Sequence, residues 1–112
     1  MKHIIAVIRP ERLEDVRHAL ERVGYSGLMI SEIEGHGKQK GIVQQWRGEK
    51  YKMDLISKIK LEVVVKDTEA EIIKKTIIEN ARTGEIGDGK IFISNVDEVT
   101  RIRTGEEGEI AL

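Results

Sequence analysis

The sequence predicts an α+β sandwich in which strands and helices follow the order β-α-β-β-α-β, and three observations predict it. The run Ile4-Ile5-Ala6-Val7-Ile8 is almost wholly β-branched, as in a strand lying centrally in a sheet. Ile59, Leu61, Val63 and Val65 alternate with Lys58, Lys60, Glu62 and Val64, the period of a strand with one buried face. Two segments carry apolar residues at helical spacing: Leu13, Val16, Leu20 and Val23 in one, and Ile72, Ile73, Ile77 and Ala81 in the other. At 112 residues the chain has room for a single domain, residues 1–112.

In chain order, the first strand gives way at Arg9-Pro10 to a helix. Pro10 suits a first helical position, Glu11 and Glu14 sit at the positive end of the helix dipole, and Gly24 ends the helix. Leu28 to Glu34 reads as a second strand with imperfect alternation, and Lys58 to Val65 as a third. Thr68 with Glu71 forms a capping-box signature for the second helix, which ends near Gly84. Ile91-Phe92-Ile93 begins a fourth strand, and Val99 to Arg103 reads as a short C-terminal edge strand. Two β-α-β units with right-handed crossovers give a ferredoxin-like sandwich, a four-stranded antiparallel sheet with both helices on one face. Apolar side chains fall on both faces of several strands, and no third helix exists to cover the second face. Burial by other copies of the chain is therefore expected.

Composition narrows the chemistry. Hydrophobic residues make up 39% and charged residues 35%, and the net charge of −1 argues against nucleic-acid binding by bulk electrostatics. Any anion site must be local. The absence of cysteine removes disulfides, thiolate catalysis and cysteine-based zinc sites. The apolar run Ile4 to Ile8 is far below the length of a signal-peptide core or membrane span, so a cytoplasmic protein is expected. Ser26, Ser31, Ser57 and Ser94 lack a nucleophile motif, and His3, His18 and His36 lack metal-ligand spacing. No catalytic constellation emerges, and no enzyme is expected.

Three segments could carry function. The first follows the second strand at Gly35-His36-Gly37-Lys38-Gln39-Lys40-Gly41 and runs roughly 20 residues before Lys58, several times the usual hairpin-loop length. Within it, Gly37 to Asp54 is rich in Lys and Arg and displays Trp46 and Tyr51, which suits contact with a partner or phosphate; a solvated hairpin extension would account for the same residues. The second is Thr83-Gly84-Glu85-Ile86-Gly87-Asp88-Gly89-Lys90. Its glycines let backbone amides approach an anion as a nest, with Lys90 adding a charge, while a glycine helix cap followed by an Asp-Gly turn is the plainer alternative. The third is Arg101-Ile102-Arg103, whose alternation in an extended segment would put two guanidinium groups on one side; surface ion pairs with nearby glutamates are the alternative.

Taken together, the segment Thr83-x-x-x-Gly87-Asp88-Gly89-Lys90-Ile91-Phe92-Ile93, the downstream Arg101-Ile102-Arg103-Thr104-Gly105, the glycine-rich Gly35 to Gly41 and Arg47-Gly48-x-x-Tyr51 resemble the PII signal-transduction family in order and spacing, across essentially the whole chain. The resemblance implies a homotrimer of ferredoxin-like subunits that binds ATP or ADP in clefts between neighbours. It assigns nucleotide contacts to Val7, Met29, Gly35, Gly37, Lys38, Gln39, Lys40, Val64, Gly87, Asp88, Gly89, Lys90, Phe92, Arg101 and Arg103. Gly35, Gly37, Lys38, Gln39 and Val64 would come from one subunit, and Gly87 to Lys90 with Arg101 and Arg103 from the other. By the same resemblance 2-oxoglutarate binds beside MgATP, with Gln39, Lys40, Gly41, Lys58 and Gly87 as its site and Gln39 as the side-chain ligand to Mg²⁺.

The output implied is control of an ammonium transporter by the long loop. Arg47 would enter the conducting path, Lys40 would pair with Glu62 in one nucleotide state, and Tyr51 would be a site of modification. The protein would meet the membrane only through the transporter. Trp46, Glu49-Lys50, Met29, Ile42 and Ser57 depart from the family's common choices. Alternatives are a PII-like regulator of nitrogenase or another enzyme, a small hydrolase on the same fold, and an RNA-binding module. The hydrolase lacks a paired arginine and asparagine in the first crossover, and the RNA binder lacks sheet aromatics other than Phe92.

Overall fold

A computed structural model of the chain describes residues 1–25, 27–36, 44–46, 49–51 and 55–112. Its main sheet contains β1 (Lys2–Ile8), β2 (Met29–His36), β5 (Leu55–Val65) and β6 (Lys90–Asn95), in the order β2-β5-β1-β6 and antiparallel throughout. The register sets Ile4 between Val63 and Ile93 and Ala6 between Leu61 and Ile91, so alternate residues of neighbouring strands line up on one face. Helices α1 (Leu13–Arg22) and α2 (Ala70–Ala81) pack against each other and close that face. The core includes Ile4, Ala6 and Ile8 from β1, Ile59, Leu61, Val63 and Val65 from β5, Val16 and Leu20 from α1, and Ala70, Ile73, Ile77 and Ala81 from α2. This is the α+β sandwich that the periodicities predict.

Local chemistry explains the helix ends. Pro10 starts a 3-10 turn over Pro10–Arg12 that leads directly into α1, and its fixed φ suits that position. At the other end Gly24 takes φ +97°, and the Gly24 and Tyr25 amides donate to the Glu21 and Leu20 carbonyls in a Schellman arrangement. The Tyr25 hydroxyl interacts with Glu69 ahead of α2; burial, then this carboxylate, push its pKa up to about 12.

Four details differ from the sequence expectation. The Thr68 to Glu71 capping box does not form. A 3-10 turn over Asp67–Glu69 precedes α2, the Glu69 amide is satisfied by the Lys66 carbonyl, and no side chain caps the helix. Ile72 is 46% exposed, and Thr76 takes a place in the buried stripe because its hydroxyl donates back to the Ile72 carbonyl at 2.7 Å. The C-terminal edge strand is reduced to one bridge, Thr100 to Glu107, flanking a tight turn that Gly105 permits with φ +74°. Finally, α2 stops at Ala81 rather than near Gly84, because Arg82 is extended and the chain turns into the glycine segment.

The stretch between β2 and β5 contains a short hairpin. Strands β3 (Gln44–Trp46) and β4 (Glu49–Tyr51) pair antiparallel, with Gln44 opposite Tyr51 and Trp46 opposite Glu49. Among the described residues no helix is long and apolar enough to cross a membrane.

The second face of the sheet has no covering element among the described residues. Ile5, Val7, Met29, Val64 and Phe92 fall on it by register, and Met29 and Phe92 are each 55% exposed. Burial differences on the helices yield the first prediction. Ile73→Ala should lower stability by about 2–5 kcal/mol in urea unfolding at fixed protein concentration, whereas Ile72→Ala should cost under about 1 kcal/mol. Equal costs would contradict the placement of α2.

Candidate functional site

The site begins with the segment that joins α2 to β6. Gly84, Gly87 and Gly89 take φ values of +90°, +104° and +100°, in the left-handed region that favours glycine, with a bend at 84–85 and a turn at 86–87. Only glycine fits at position 89: a Cβ there would stand 1.7 Å from the Val7 carbonyl oxygen. The loop is thereby seated on the end of β1.

Asp88 holds the loop's shape from within. Its Oδ2 accepts from the Thr83 and Gly84 amides, both at 2.9 Å, and its Oδ1 accepts from the Thr83 hydroxyl and from Arg9 Nε at 3.0 Å. These bonds to the charged form, the Thr83 hydroxyl foremost, hold the Asp88 carboxyl well below the usual carboxylate range. The Arg9 Nη2 also donates to the Ile86 carbonyl at 2.9 Å, and Lys58 Nζ donates to the Gly87 carbonyl. Burial, with the neighbouring Arg9 charge, lowers the Lys58 pKa.

Neither the Asp-Gly turn nor the glycine helix cap anticipated for this segment is present. The turn falls at Ile86-Gly87, and the Asp88 side chain caps Thr83 and Gly84. Among the described residues, none of the loop's own hydrogen bonds uses the amides of Gly87, Asp88 or Gly89.

Between this loop and the strand ends lies an open cleft of 880 Å³. Gly87, Asp88, Gly89 and Lys90 form one wall, Val7 and Phe92 belong to the sheet side, and Gly35, Ile33, Ile56 and Lys58 come from the paired ends of β2 and β5. Two lysines and the glycine backbone beside apolar Val7, Ile33, Ile56 and Phe92 make a donor set suited to an anion attached to an apolar or aromatic group. Among the described residues that line the cleft there is no paired nucleophile and base.

The structure therefore unites Val7, Gly35, Lys58, Gly87, Asp88, Gly89, Lys90 and Phe92 of the residues anticipated from sequence. It corrects their grouping, since Gly35 and Gly87 to Lys90 line the same cleft of the same chain. Val64 does not join them. Gly35 pairs with Ile56, and Val64 lies eight residues further along β5, roughly 26 Å away at the rise of a strand. Met29 is at the far end of β2, six residues and about 20 Å from Gly35.

Arg101 and Arg103 do not line the cleft, and they do not alternate on a strand. Turn geometry separates them: the Gly105 amide donates to the Arg101 carbonyl at 2.7 Å, and the Arg101 amide to the Glu106 carbonyl at 2.8 Å. The Arg101 guanidinium bonds Glu106 Oε1 at 2.8 Å and the Ile110 carbonyl at 2.9 Å, the ion-pair alternative raised from sequence, whereas Arg103 is exposed.

Gly37, Lys38, Gln39, Lys40, Gly41 and Arg47 lie outside the described residues, and Tyr51 is placed only as a member of β4. Sequence reasoning missed Arg9, Ile33 and Ile56. Strand alternation offered a signal for Ile33, but none pointed to Arg9, whose partners are nearly 80 residues away.

Two predictions rest on this geometry. Gly89→Ala should destabilise the fold by about 2 kcal/mol or more in urea unfolding, because the new methyl group would meet the Val7 carbonyl and φ is positive. The Asp88 carboxylate, with its folded pKa depressed, contributes stability that is complete above its ordinary value near 3.8 and is lost as pH falls below that towards the folded value. Asp88→Asn should remove this part of the acid sensitivity and lower stability at neutral pH. Acid unfolding profiles of variant and parent that stay parallel below pH 4 would contradict it.

Comparison with known proteins agrees over the full chain. The family profile described as nitrogen regulatory protein P-II matches residues 1–106. Nitrogen regulatory protein P-II 2 of Methanothermobacter thermautotrophicus is 53% identical over 112 residues, covering 100% of this chain and 97% of the relative. Nitrogen regulatory protein P-II of Rhizobium meliloti is 50% identical over 108 residues, with 96% of each chain covered. Nitrogen regulatory protein P-II 1 of Escherichia coli K12 is 48% identical over 112 residues and the whole of both chains. On the profile match and these full-length relatives, this chain belongs to the nitrogen regulatory protein P-II family, whose members are regulatory signal transducers and not enzymes.

Proposed function

We propose that the chain is a sensor that binds ATP or ADP in clefts between the subunits of a homotrimer, responds to 2-oxoglutarate with MgATP, and controls an ammonium transporter through the segment from Gly37 to Asp54. The observation that carries this reading is the loop Thr83 to Lys90. Its shape is set internally by Asp88, its Gly87 and Gly89 amides are not used within the loop, and Lys58 and Lys90 stand at the same cleft. Such an arrangement neutralises a phosphate chain locally on a protein of net charge −1.

The division of the anticipated ligands into two groups supports a site shared between subunits. Val7, Gly35, Lys58, Gly87 to Lys90 and Phe92 form one group within a single cleft. Met29 and Val64 lie about 20 Å or more from Gly35 along the strands, and Arg101 and Arg103 are anchored in the C-terminal turn. A cleft between chains would let one nucleotide meet both groups. The apolar second face of the sheet, with Met29 and Phe92 exposed, supplies surface for that association.

In this reading Gln39 holds Mg²⁺ when ATP is bound, and Lys58 gives up the Gly87 carbonyl to meet the distal carboxylate of 2-oxoglutarate. Magnesium would supply charge neutralisation between the phosphates and the keto acid. The bound state would then bias the long segment, through Lys40 and Glu62, towards or away from the transporter, with Arg47 as its contact and Tyr51 as a modifiable hydroxyl. Recruitment of a cytoplasmic protein to the membrane would follow from that contact.

The test is a calorimetric titration with ATP, repeated with Mg²⁺ and 2-oxoglutarate, on protein whose oligomeric state is fixed by light scattering. Saturable binding at one nucleotide per chain is expected, with affinity reduced at least tenfold by Lys90→Ala and by Arg103→Ala. Refolding the two variants together should restore some sites of parental affinity, because neighbours would complement one another. A correctly assembled trimer that binds no adenine nucleotide would overturn the proposal.

A further inference from the structure

We propose that Arg9 is the positioning residue that sets the shape of the glycine loop, and through it the arrangement of amides offered to phosphate. This inference rests on the phosphate-site reading above. Arg9 is the first residue after β1, and its side chain is only 21% exposed. One guanidinium grips the loop at two points: Nε on Asp88 Oδ1 at 3.0 Å and Nη2 on the Ile86 carbonyl at 2.9 Å. The fork geometry suits this two-point hold, which an ammonium group could make only in part.

Those two points bracket Gly87. A Cβ at position 87 would lie 3.3 Å from Arg9 Nη2 and 3.7 Å from Lys58 Nζ, so the glycine lets both cations close on the loop from the strand side. Three separate contacts then define the loop's position relative to the sheet: Arg9 on either side of Gly87, Lys58 on its carbonyl, and Gly89 against the Val7 carbonyl. Among the described residues, Arg9 is what connects the end of β1 to the Asp88 carboxylate, which in turn holds the Thr83 and Gly84 amides.

Without Arg9, Asp88 loses its tie to β1, and its hold on the Thr83 and Gly84 amides loosens with it. The Gly87 and Gly89 amides then lose their fixed relation to Lys58 and Lys90. The role is one of preorganisation: the guanidinium's hydrogen bonds are spent on the protein.

Two measurements test this. In the ligand-free protein, Arg9→Met should speed hydrogen exchange of the Thr83 and Gly84 amides by about tenfold or more, with exchange in the middle of α1 unchanged and Arg9→Lys intermediate. In a double-mutant cycle read by ATP affinity, Arg9→Met and Asp88→Asn should each weaken binding about tenfold, and the double variant should be far less impaired than the product of the two. Unchanged exchange in Arg9→Met would overturn the positioning role by itself. Effects on affinity that multiply independently would also overturn it, because Arg9 would then act by touching the ligand. A parent protein that exchanges as expected but binds no ATP would overturn the phosphate-site reading instead.

Discussion

The site depends on how one carboxylate is satisfied. Asp88 gathers two backbone amides, a hydroxyl and a guanidinium, so a loop containing three glycines at positive φ has one defined shape instead of many. Glycine loses more conformational freedom on ordering than any other residue, and a glycine-rich loop left to itself would not present its amides in a fixed array. The charged hydrogen bonds to Asp88 offset that cost, and the same bonds keep its side chain engaged within the protein. Asp88 is therefore a structural element of the loop, which would leave it little part in contacting a ligand at the proposed site.

The sheet supplies the remaining constraint. Once Gly89 is pressed on the Val7 carbonyl, the loop's position follows from the register of β1 between β5 and β6. The same register brings Lys58 and Gly35 to the loop and carries Val64 and Met29 away from it, because a strand advances about 3.3 Å with each residue. That geometry gathers Val7, Gly35, Lys58, Gly87 to Lys90 and Phe92 at one cleft and carries Met29 and Val64 away from the loop. In the proposed site a second subunit would supply those two residues.

Charge is arranged with similar economy. The chain is nearly neutral overall, and its helix surfaces carry paired residues such as Arg17 with Glu14 and Lys74 with Glu71. Exposed pairs of this kind add little stability one by one. At the cleft, Lys58 is instead held against the Gly87 carbonyl, while Arg9 divides its guanidinium between the Ile86 carbonyl and the Asp88 carboxylate. The neutral carbonyl leaves the Lys58 charge unneutralised by that bond, as the proposed anion site would need.

Much of the fold was legible in the sequence because burial imposes periods that a reader can count: two for β5, and 3.6 for Val16 and Leu20 or Ile73 and Ile77. The glycines at 84, 87 and 89 likewise announced an unusual loop before its shape was known. What sequence could not supply were relations between distant residues. It gave no sign that Arg9 meets Asp88, that Thr76 displaces Ile72 from the core, or that Gly35 and Gly87 share a cleft while Val64 stands apart. The Arg101 to Arg103 alternation failed for a related reason: Gly105 allows a turn there, and the Glu106 carboxylate captures the first guanidinium. Sequence determined the local periods and the backbone freedoms of this protein. The tertiary structure alone decided which side chains meet, because strand register and hydrogen-bond pairing across the sheet are not local properties of the chain.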